Sequence, residues 1–408
     1  MNKKKIINDP VYGFISIPTE LVFDLIEHPY FQRLRYIKQL GMTHLVYPGA
    51  LHTRFHHALG AMYLMGMAIE TLRNKGHEIS HKEEEAVIIA ILLHDIGHGP
   101  FSHALEETIV EGISHEDISA MLMSKLNVEF NGRLTTAIEI FKGVYPREFL
   151  HQLVSSQLDM DRMDYLNRDS FFTGVSEGVI SSDRIIKMLN VKDDQIAVEE
   201  KGIYSVEKFL IARRLMYWQV YLHKTVIAAE QLLARIMKRS RELTLMGVEV
   251  FTTPALSHFL RKPISSEAFM NEGHHLEAFA TLDDTDIMAA IKVWATHSDW
   301  VLSKLCRDMV YRDLYKVDIT SQPPDKQFIE KLTAKAMSKY GISAHDASYF
   351  VFEDTIRNNA YRPGDGNIRI LMKDGTIKDI TAASDNSNLE ALAKTVKKYI
   401  LCYKKELV

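Results

Sequence analysis

The sequence predicts a mainly α-helical protein that carries a short β-hairpin and ends in a small α+β unit. Three observations lead there. Apolar residues recur at helical spacing through most of the first 340 residues. That texture breaks in "MLNVKDDQIAVEEKGIYSV", where two short β-like runs flank polar residues and Gly202. From about residue 345 it shifts again, to a pattern of strand, hairpin and helix.

Taken in order, "NDPVYGFISI" alternates and carries turn residues, so it reads as an extended lead. "PTELVFDLIEHPYFQRLRYIKQL" is helical in spacing and interrupted near Pro29. "RFHHALGAMYLMGMAIETLRNKG" is a helix ended by Gly76. "SHKEEEAVIIAILLHD" opens with a cap at Ser80 and acidic first turns, becomes apolar, and stops at "GHGP". Helical stretches follow at about 102–111, 114–126, 133–141 and 147–166. The longest helical pattern begins at "SVEKFLIARRLMYWQVYLHK" and runs on to "RSREL". Residues 254–340 read as helical with a breaker at "SQPPDKQ". The tail reads as strand in "ASYFVFEDT", hairpin in "GNIRILMKDGTIKDIT" and helix in "NLEALAKTVKKYILCYKKEL". The expected division is 1–250 as a helical core domain, 251–340 as a helical extension, and 345–408 as the small α+β domain.

Composition narrows the function classes. At 408 residues the chain exceeds one ordinary domain core. A net charge of −4 gives no electrostatic case for nucleic-acid or membrane binding. Cys306 and Cys402 form no metal-site spacing and suggest a reducing compartment. The basic "MNKKKIIND" is followed by no apolar run of signal-peptide length, and "AVIIAILL" is too short to cross a bilayer. The expectation is a soluble cytoplasmic protein.

Histidine is unevenly placed. Of 18 histidines, 10 lie between His44 and His115, where even spacing would put about three. The stretch "ILLHDIGHGPFSH" ends an apolar helix in His94 and Asp95. A buried helix end has unsatisfied carbonyls, and a carboxylate adds negative charge to them. Left unpaired, that Asp would be costly; a bound cation removes the cost. Imidazole and carboxylate together suit a first-row divalent metal. Gly97 and Gly99 let the chain turn sharply and leave room for a ligand. The alternative is a His-Asp pair bonded to each other and to backbone. His56 and His57 open the preceding helix beside Arg54, His98 and His103 follow closely, and His115 sits in "SHED". Far along the chain, "SSQLDMDRMDYLNRDSFFTG" gathers Asp159, Asp161, Asp164 and Asp169 with Arg162 and Arg168. Asp161 and Tyr165 share a helical face there. A solvated, salt-bridged helix is the alternative, although Met160, Met163 and Leu166 need a core on one side.

The order His57, His94-Asp95, distant Asp161 resembles the HD-domain phosphohydrolases. The strings "FQRLRYIKQLG", "RFHHALG", "HDIGHGPFSH" and "MDRMDYLNRD" are similar to the dNTP triphosphohydrolase branch, which includes the SAM-and-HD-domain dNTPases and bacterial relatives. The likeness covers about residues 5–230, and no SAM domain is present. It implies an HD-domain helical bundle with His57, His94, Asp95 and Asp161 as metal ligands. It makes His115 the general acid toward the leaving oxygen, with His103 also beside the scissile phosphate. Arg54, Arg162, Tyr165 and Arg213 match phosphate-binding positions; the branch usually has lysine at Arg162, and arginine can hold phosphate bidentately. Asp169 matches an acceptor for the sugar 3′-hydroxyl, and Tyr221 an aromatic beneath the sugar. Gln39, Leu40 and Tyr217 match positions beside sugar and base, Tyr217 standing where histidine is frequent.

The implied reaction is attack at the α-phosphorus of a dNTP, giving deoxynucleoside and tripolyphosphate. The alternatives are another HD phosphohydrolase, a phosphodiesterase or 5′-nucleotidase, or a dNTP-sensing regulator with little turnover. Nitrogen ligands favour one transition metal among Mn, Fe, Co, Ni and Zn, with Mg joining through the substrate phosphates. The resemblance also implies a homodimer or homotetramer. Lys5, Gln32 and Arg35 match a nucleotide-activator site, in which Glu27 replaces an aspartate; ordinary interface polarity is the alternative there.

Overall fold

The structure, a computed structural model, describes residues 5–110, 112–262, 264–358, 366–385 and 396–408; side chains at 103, 106, 107, 357, 358 and 396 lie outside that description. It is mainly helical, with small sheets at its edges. At the centre is the helix His81–Leu93, opened by a capping box in which Ser80 and Glu83 satisfy each other's backbone N–H. Every residue from Ala86 to Leu93 is buried, so this part of the helix is apolar all round and must be enclosed. The helix Arg54–Asn74 encloses one side and Met160–Thr173 packs on that helix in turn. Gly60 allows that second crossing: a Cβ there would stand 2.0 Å from Oδ1 of Asp164 and 2.2 Å from Nη2 of Arg168.

Four stretches expected as continuous or helical are built differently. The 147–166 stretch divides into Glu148–Val154 and Met160–Thr173. Asp159 makes the restart, its carboxylate accepting from the backbone N–H of Ser156 (2.8 Å) and Arg162 (2.7 Å). The longest pattern divides too, into Ile203–Met216 and Lys224–Leu245. Between them Tyr217–Tyr221 forms a π-type turn, and the His223 ring caps the second helix by accepting from Thr225 N–H (3.2 Å). At the tail, Val396–Tyr403 is a strand where "KTVKKYILCYKKEL" reads as helix. It is the middle strand of an antiparallel sheet, between Lys316–Thr320 and Val351–Asn358, so ladder bonds on both sides override its helical spacing. The earlier part of that helical expectation, 386–395, lies outside the described residues. Lys316–Thr320 is itself a strand inside a stretch expected to be helical.

The hairpin is present as Leu189–Lys192 and Gln195–Glu199. Asp193 and Asp194, both in the left-handed region (φ 55° and 56°), make its two-residue turn. Arg369–Leu371 extends this sheet in parallel from Gln195–Glu199, and Ile377–Asp379 closes it. The N-terminal lead is also a hairpin, Ile6–Asp9 with Gly13–Ser16. Strand pairing thus crosses residues 250 and 345, and one continuous core includes Ile15, Leu92, Trp294, Ile370 and Cys402.

Candidate active site

Four side chains converge where the central helix ends. His57 comes from the first turn of Arg54–Asn74, His94 and Asp95 from the end of His81–Leu93, and Asp161 from the first turn of Met160–Thr173. Nε2 of His57 lies 3.1 Å from Oδ1 of Asp161 and 3.7 Å from Oδ2 of Asp95. Nε2 of His94 lies 3.5 Å from the same Asp161 oxygen and 3.3 Å from Oδ1 of Asp95. Both Nε2 atoms are buried and neither makes a hydrogen bond. Their opposite nitrogens are committed: the Nδ1–H of His57 donates to Asp164 (2.7 Å) and that of His94 to the carbonyl of Ile91 (2.6 Å).

The electrostatics suit a cation. Burial alone would raise both carboxyls. Against it, His94, Arg54 and His57 hold Asp95 down to about 2, and the His57 and His94 imidazoles hold Asp161 well below the usual carboxylate range. Burial alone would lower His57, but Asp161 and Asp164 carry it up to about 10. His57, His94 and Asp161 bring ligand atoms within 4.8 Å of one another, and Asp95 lies against both imidazoles; this donor set could hold a divalent metal, which would displace the proton that His57 carries in its absence.

Arg54 rests on this set, its guanidinium bonded to Asp95 and its Nε donating to Ser102 Oγ (2.9 Å). His115 is the first residue of the helix His115–Glu129, capped by Ser114. Its ring stacks on that of His98 at 3.9 Å, and both have nitrogens near Asp95. Gly97 permits this approach, since a Cβ there would lie 2.3 Å from the His115 carbonyl oxygen and from Ser119 N. His103 falls in the short turn Ser102–Ala104, and its side chain lies outside the described residues.

A cavity of about 320 Å³ opens from the cluster and is lined by Arg54, Asp95, Asp161, Arg162, Tyr165, Asp169, Tyr217, Tyr221, Gln39 and Leu40. Tyr221 OH and His52 Nε2–H each donate to the Asp169 carboxylate at 2.8 Å. Arg213 is placed differently: it lines a neighbouring cavity of about 1060 Å³ and donates to Gln157 Oε1 (3.1 Å). Arg162 and Tyr217 border both spaces, and Asn367–Arg369 form part of the larger cavity's wall. Of the expected activator residues, Gln32 and Arg35 are hydrogen-bonded (2.8 Å), Arg35 lies over the Phe55 ring, and Lys5 over Phe23.

Sequence reasoning named Asp164 and Arg168 without a role and missed Asp284 and Glu230. Asp164 orients His57 and is itself held by Arg168, which also grips Asp9 (2.7 Å). Its spacing of three from Asp161 on one helix was the available signal. Asp284 gave none. It accepts from Phe101 N–H (2.7 Å) and Lys38 N–H (3.0 Å), pinning the loop where Phe101 and Ser102 take left-handed φ of 54° and 53°. Glu230 also lines the cavity, and burial pushes its carboxyl up to about 7.

Residues 54–169 match the HD domain family, and residues 180–254 match the HD associated region. A crystal structure of a phosphohydrolase from Bacteroides thetaiotaomicron superposes with a TM-score of 0.96 at 56% identity, covering 98% of this chain and 100% of that one. The protein YwfO of Bacillus subtilis is 32% identical over 398 residues, 94% of this chain and 88% of its own. A deoxynucleoside triphosphate triphosphohydrolase SAMHD1 homolog of Dictyostelium discoideum is 34% identical over 249 residues; the match spans 56% of this chain and 48%, about half, of that relative. Among the described residues no helix is long and apolar enough to cross a membrane.

Proposed function

We propose that this chain, which belongs to the HD-domain phosphohydrolases, hydrolyses deoxynucleoside triphosphates at the α-phosphorus and releases deoxynucleoside and tripolyphosphate. The observation that carries the reading is a single cavity with Asp95 and Asp161 at one wall, the His57 and His94 imidazoles against those carboxylates, and the bonded pair Tyr221–Asp169 at another wall. The first suits phosphate chemistry. The second offers a flat ring and a fixed carboxylate, the size and polarity of a deoxyribose with its 3′-hydroxyl.

The metal held by those four residues, one of Mn, Fe, Co, Ni or Zn, would supply an activated water and polarise a phosphoryl oxygen. The remaining roles belong to the chain. Arg54 and Arg162 neutralise the phosphates, Tyr165 positions them, and Arg213 receives their far end in the adjoining cavity. Magnesium accompanies the substrate through those phosphates. His115, steadied by the stacked His98 ring, protonates the leaving 5′-oxygen, and His103 serves the same phosphate. Gln39, Leu40 and Tyr217 meet sugar and base. Residues 1–250 carry the chemistry, 251–340 brace the loop after Asp95 through Asp284 and Phe279, 345–408 complete the wall of the adjoining cavity, and the chain acts as a homodimer or homotetramer. Gln32, Arg35 and Lys5 form the activator site, bordering the reacting helix through Phe55.

The test is incubation with each dNTP and NTP, with manganese or magnesium, and ion-exchange separation of products beside Asp95→Ala. Deoxynucleoside with tripolyphosphate, absent from the variant, supports the reading. Orthophosphate or pyrophosphate moves the attacked bond and favours a different HD hydrolase. If single nucleotides give nothing, mixed dNTPs separate a missing activator from a sensor.

A further inference from the structure

A second cluster of nitrogen donors lies apart from the cavity. His258 belongs to the helix Pro254–Leu260, and His274 and His275 open the helix Gly273–Phe279. Nε2 of His258 faces Nδ1 of His275 at 2.6 Å, and His274 brings a third ring nitrogen, all within 4.8 Å of one another. We infer that these three histidines form a second metal site, selective for a borderline transition ion such as Zn(II) or Ni(II), that ties the two helices together.

The orientation of His275 argues for a ligand role. While its Nδ1 faces His258, its Nε2 lies 3.5 Å from Oε2 of Glu272. At that distance the contact is electrostatic rather than a hydrogen bond; it favours the proton on Nε2 and leaves the Nδ1 lone pair facing His258. Glu272 also lies 3.7 Å from Nδ1 of His274. Without an ion, His258 and His275 satisfy one another only through a single N–H···N contact, and His274 contributes nothing to it. A tetrahedral ion takes all three nitrogens and leaves its fourth place to water. Three imidazoles and no thiolate favour Zn(II), Ni(II) or Cu(II) over magnesium and calcium, which prefer oxygen. Burial is graded, from buried His275 through half-buried His258 to exposed His274, so solvent reaches the site by one side.

The position gives the ion a consequence. The helix of His275 carries Phe279, whose ring is 3.3 Å from where a Cβ on Gly99 would stand. Arg33 lies over the same ring at 5.3 Å and donates to the carbonyls of Ile96 and His98. An ion fastening His258 to His275 therefore braces the wall behind the loop that follows Asp95.

The site is tested by metal content. Chelator-stripped full-length protein would be titrated with zinc chloride by calorimetry, then passed over a desalting column and its bound zinc counted. Wild type should take up one ion more per chain than His258→Ala/His274→Ala, and the single exposed change His274→Gln should already weaken that ion at least tenfold. In protein carrying Asp95→Ala and Asp161→Ala, zinc should still raise the melting temperature, and adding His274→Gln should abolish the rise. Equal zinc in wild type and the double histidine variant would overturn the site and leave a histidine–histidine hydrogen bond. Copper(II) bound at the site should show nitrogen couplings in its paramagnetic resonance spectrum, and their absence from the Asp95→Ala/Asp161→Ala protein would count equally against it.

Discussion

The Nδ1–H of His57 donates to Oδ2 of Asp164 at 2.7 Å, with both side chains buried. This bond turns the free Nε2 of His57 toward Asp161. Removing such an orienting carboxylate typically costs 10–100-fold in metal affinity or activity. Asp164→Asn should lower turnover and metal affinity by about that factor, with helical circular dichroism retained. Unchanged affinity would mean that packing alone orients the ring.

Asp161→Ala removes the oxygen that both free imidazole nitrogens approach. Turnover should fall to background and bound metal should be lost from this cluster. The helix cap is Asp159, not Asp161, so far-ultraviolet circular dichroism should stay at the wild-type level. Residual turnover near wild type would show that the four-residue donor set is not the reacting centre.

Gly97 tests whether the position of His115 depends on close backbone contact. A Cβ there would press on the His115 carbonyl and Ser119 N, both at 2.3 Å. Gly97→Ala should destabilise by roughly 1–3 kcal/mol, the usual range for overpacking. It should also lower kcat by displacing His115. Thermal unfolding and steady-state kinetics read the two effects separately, and a variant with wild-type values in both would refute the contact.

Glu230 predicts a pH dependence. Its carboxyl is raised from 4.5 to about 7 by burial, so folding disfavours its ionised form. A raised carboxyl costs stability above its unfolded value: nothing below about pH 4.5, increasingly through the interval to pH 7, and fully beyond it. Glu230→Gln should therefore be more stable than wild type at pH 8, by at most about 3 kcal/mol. The difference should close by pH 5. Urea unfolding at both values checks it, and a pH-independent difference would place the carboxyl in water.

Tyr221 donates to Asp169 at 2.8 Å and presents its ring to the cavity. Tyr221→Phe keeps the ring and leaves a carboxylate oxygen without that donor, so kcat/KM should fall about tenfold, as for a lost bond to a charged group. Discrimination against ribonucleotides should persist in Tyr221→Phe and collapse in Tyr221→Ala. If both variants discriminate equally, the ring does not lie beneath the sugar.

What the sequence determined by itself was local. Ser80 and Glu83 cap the central helix because two residues three apart suffice for a capping box. The apolar run to Leu93 had to be buried, so a His-Asp pair at its end had to be compensated, and that reasoning reached a cation at His94 and Asp95; His57 and Asp161 joined it only through the resemblance to the HD-domain phosphohydrolases. What only the tertiary structure decided was non-local. Val396–Tyr403 is a strand because two neighbours pair with it across intervals of 38 residues or more. Asp284 holds the loop after Asp95 from 183 residues beyond Phe101. Arg213 lines the adjoining cavity, and the chain breaks after it at Tyr217–Tyr221, a turn that helical periodicity cannot signal. His258 and His275 meet across two short helices. Periodicity and caps act over a few residues of chain; ladder bonds, buried ion pairs and facing donors act over a few ångströms of space, and only folding converts one into the other.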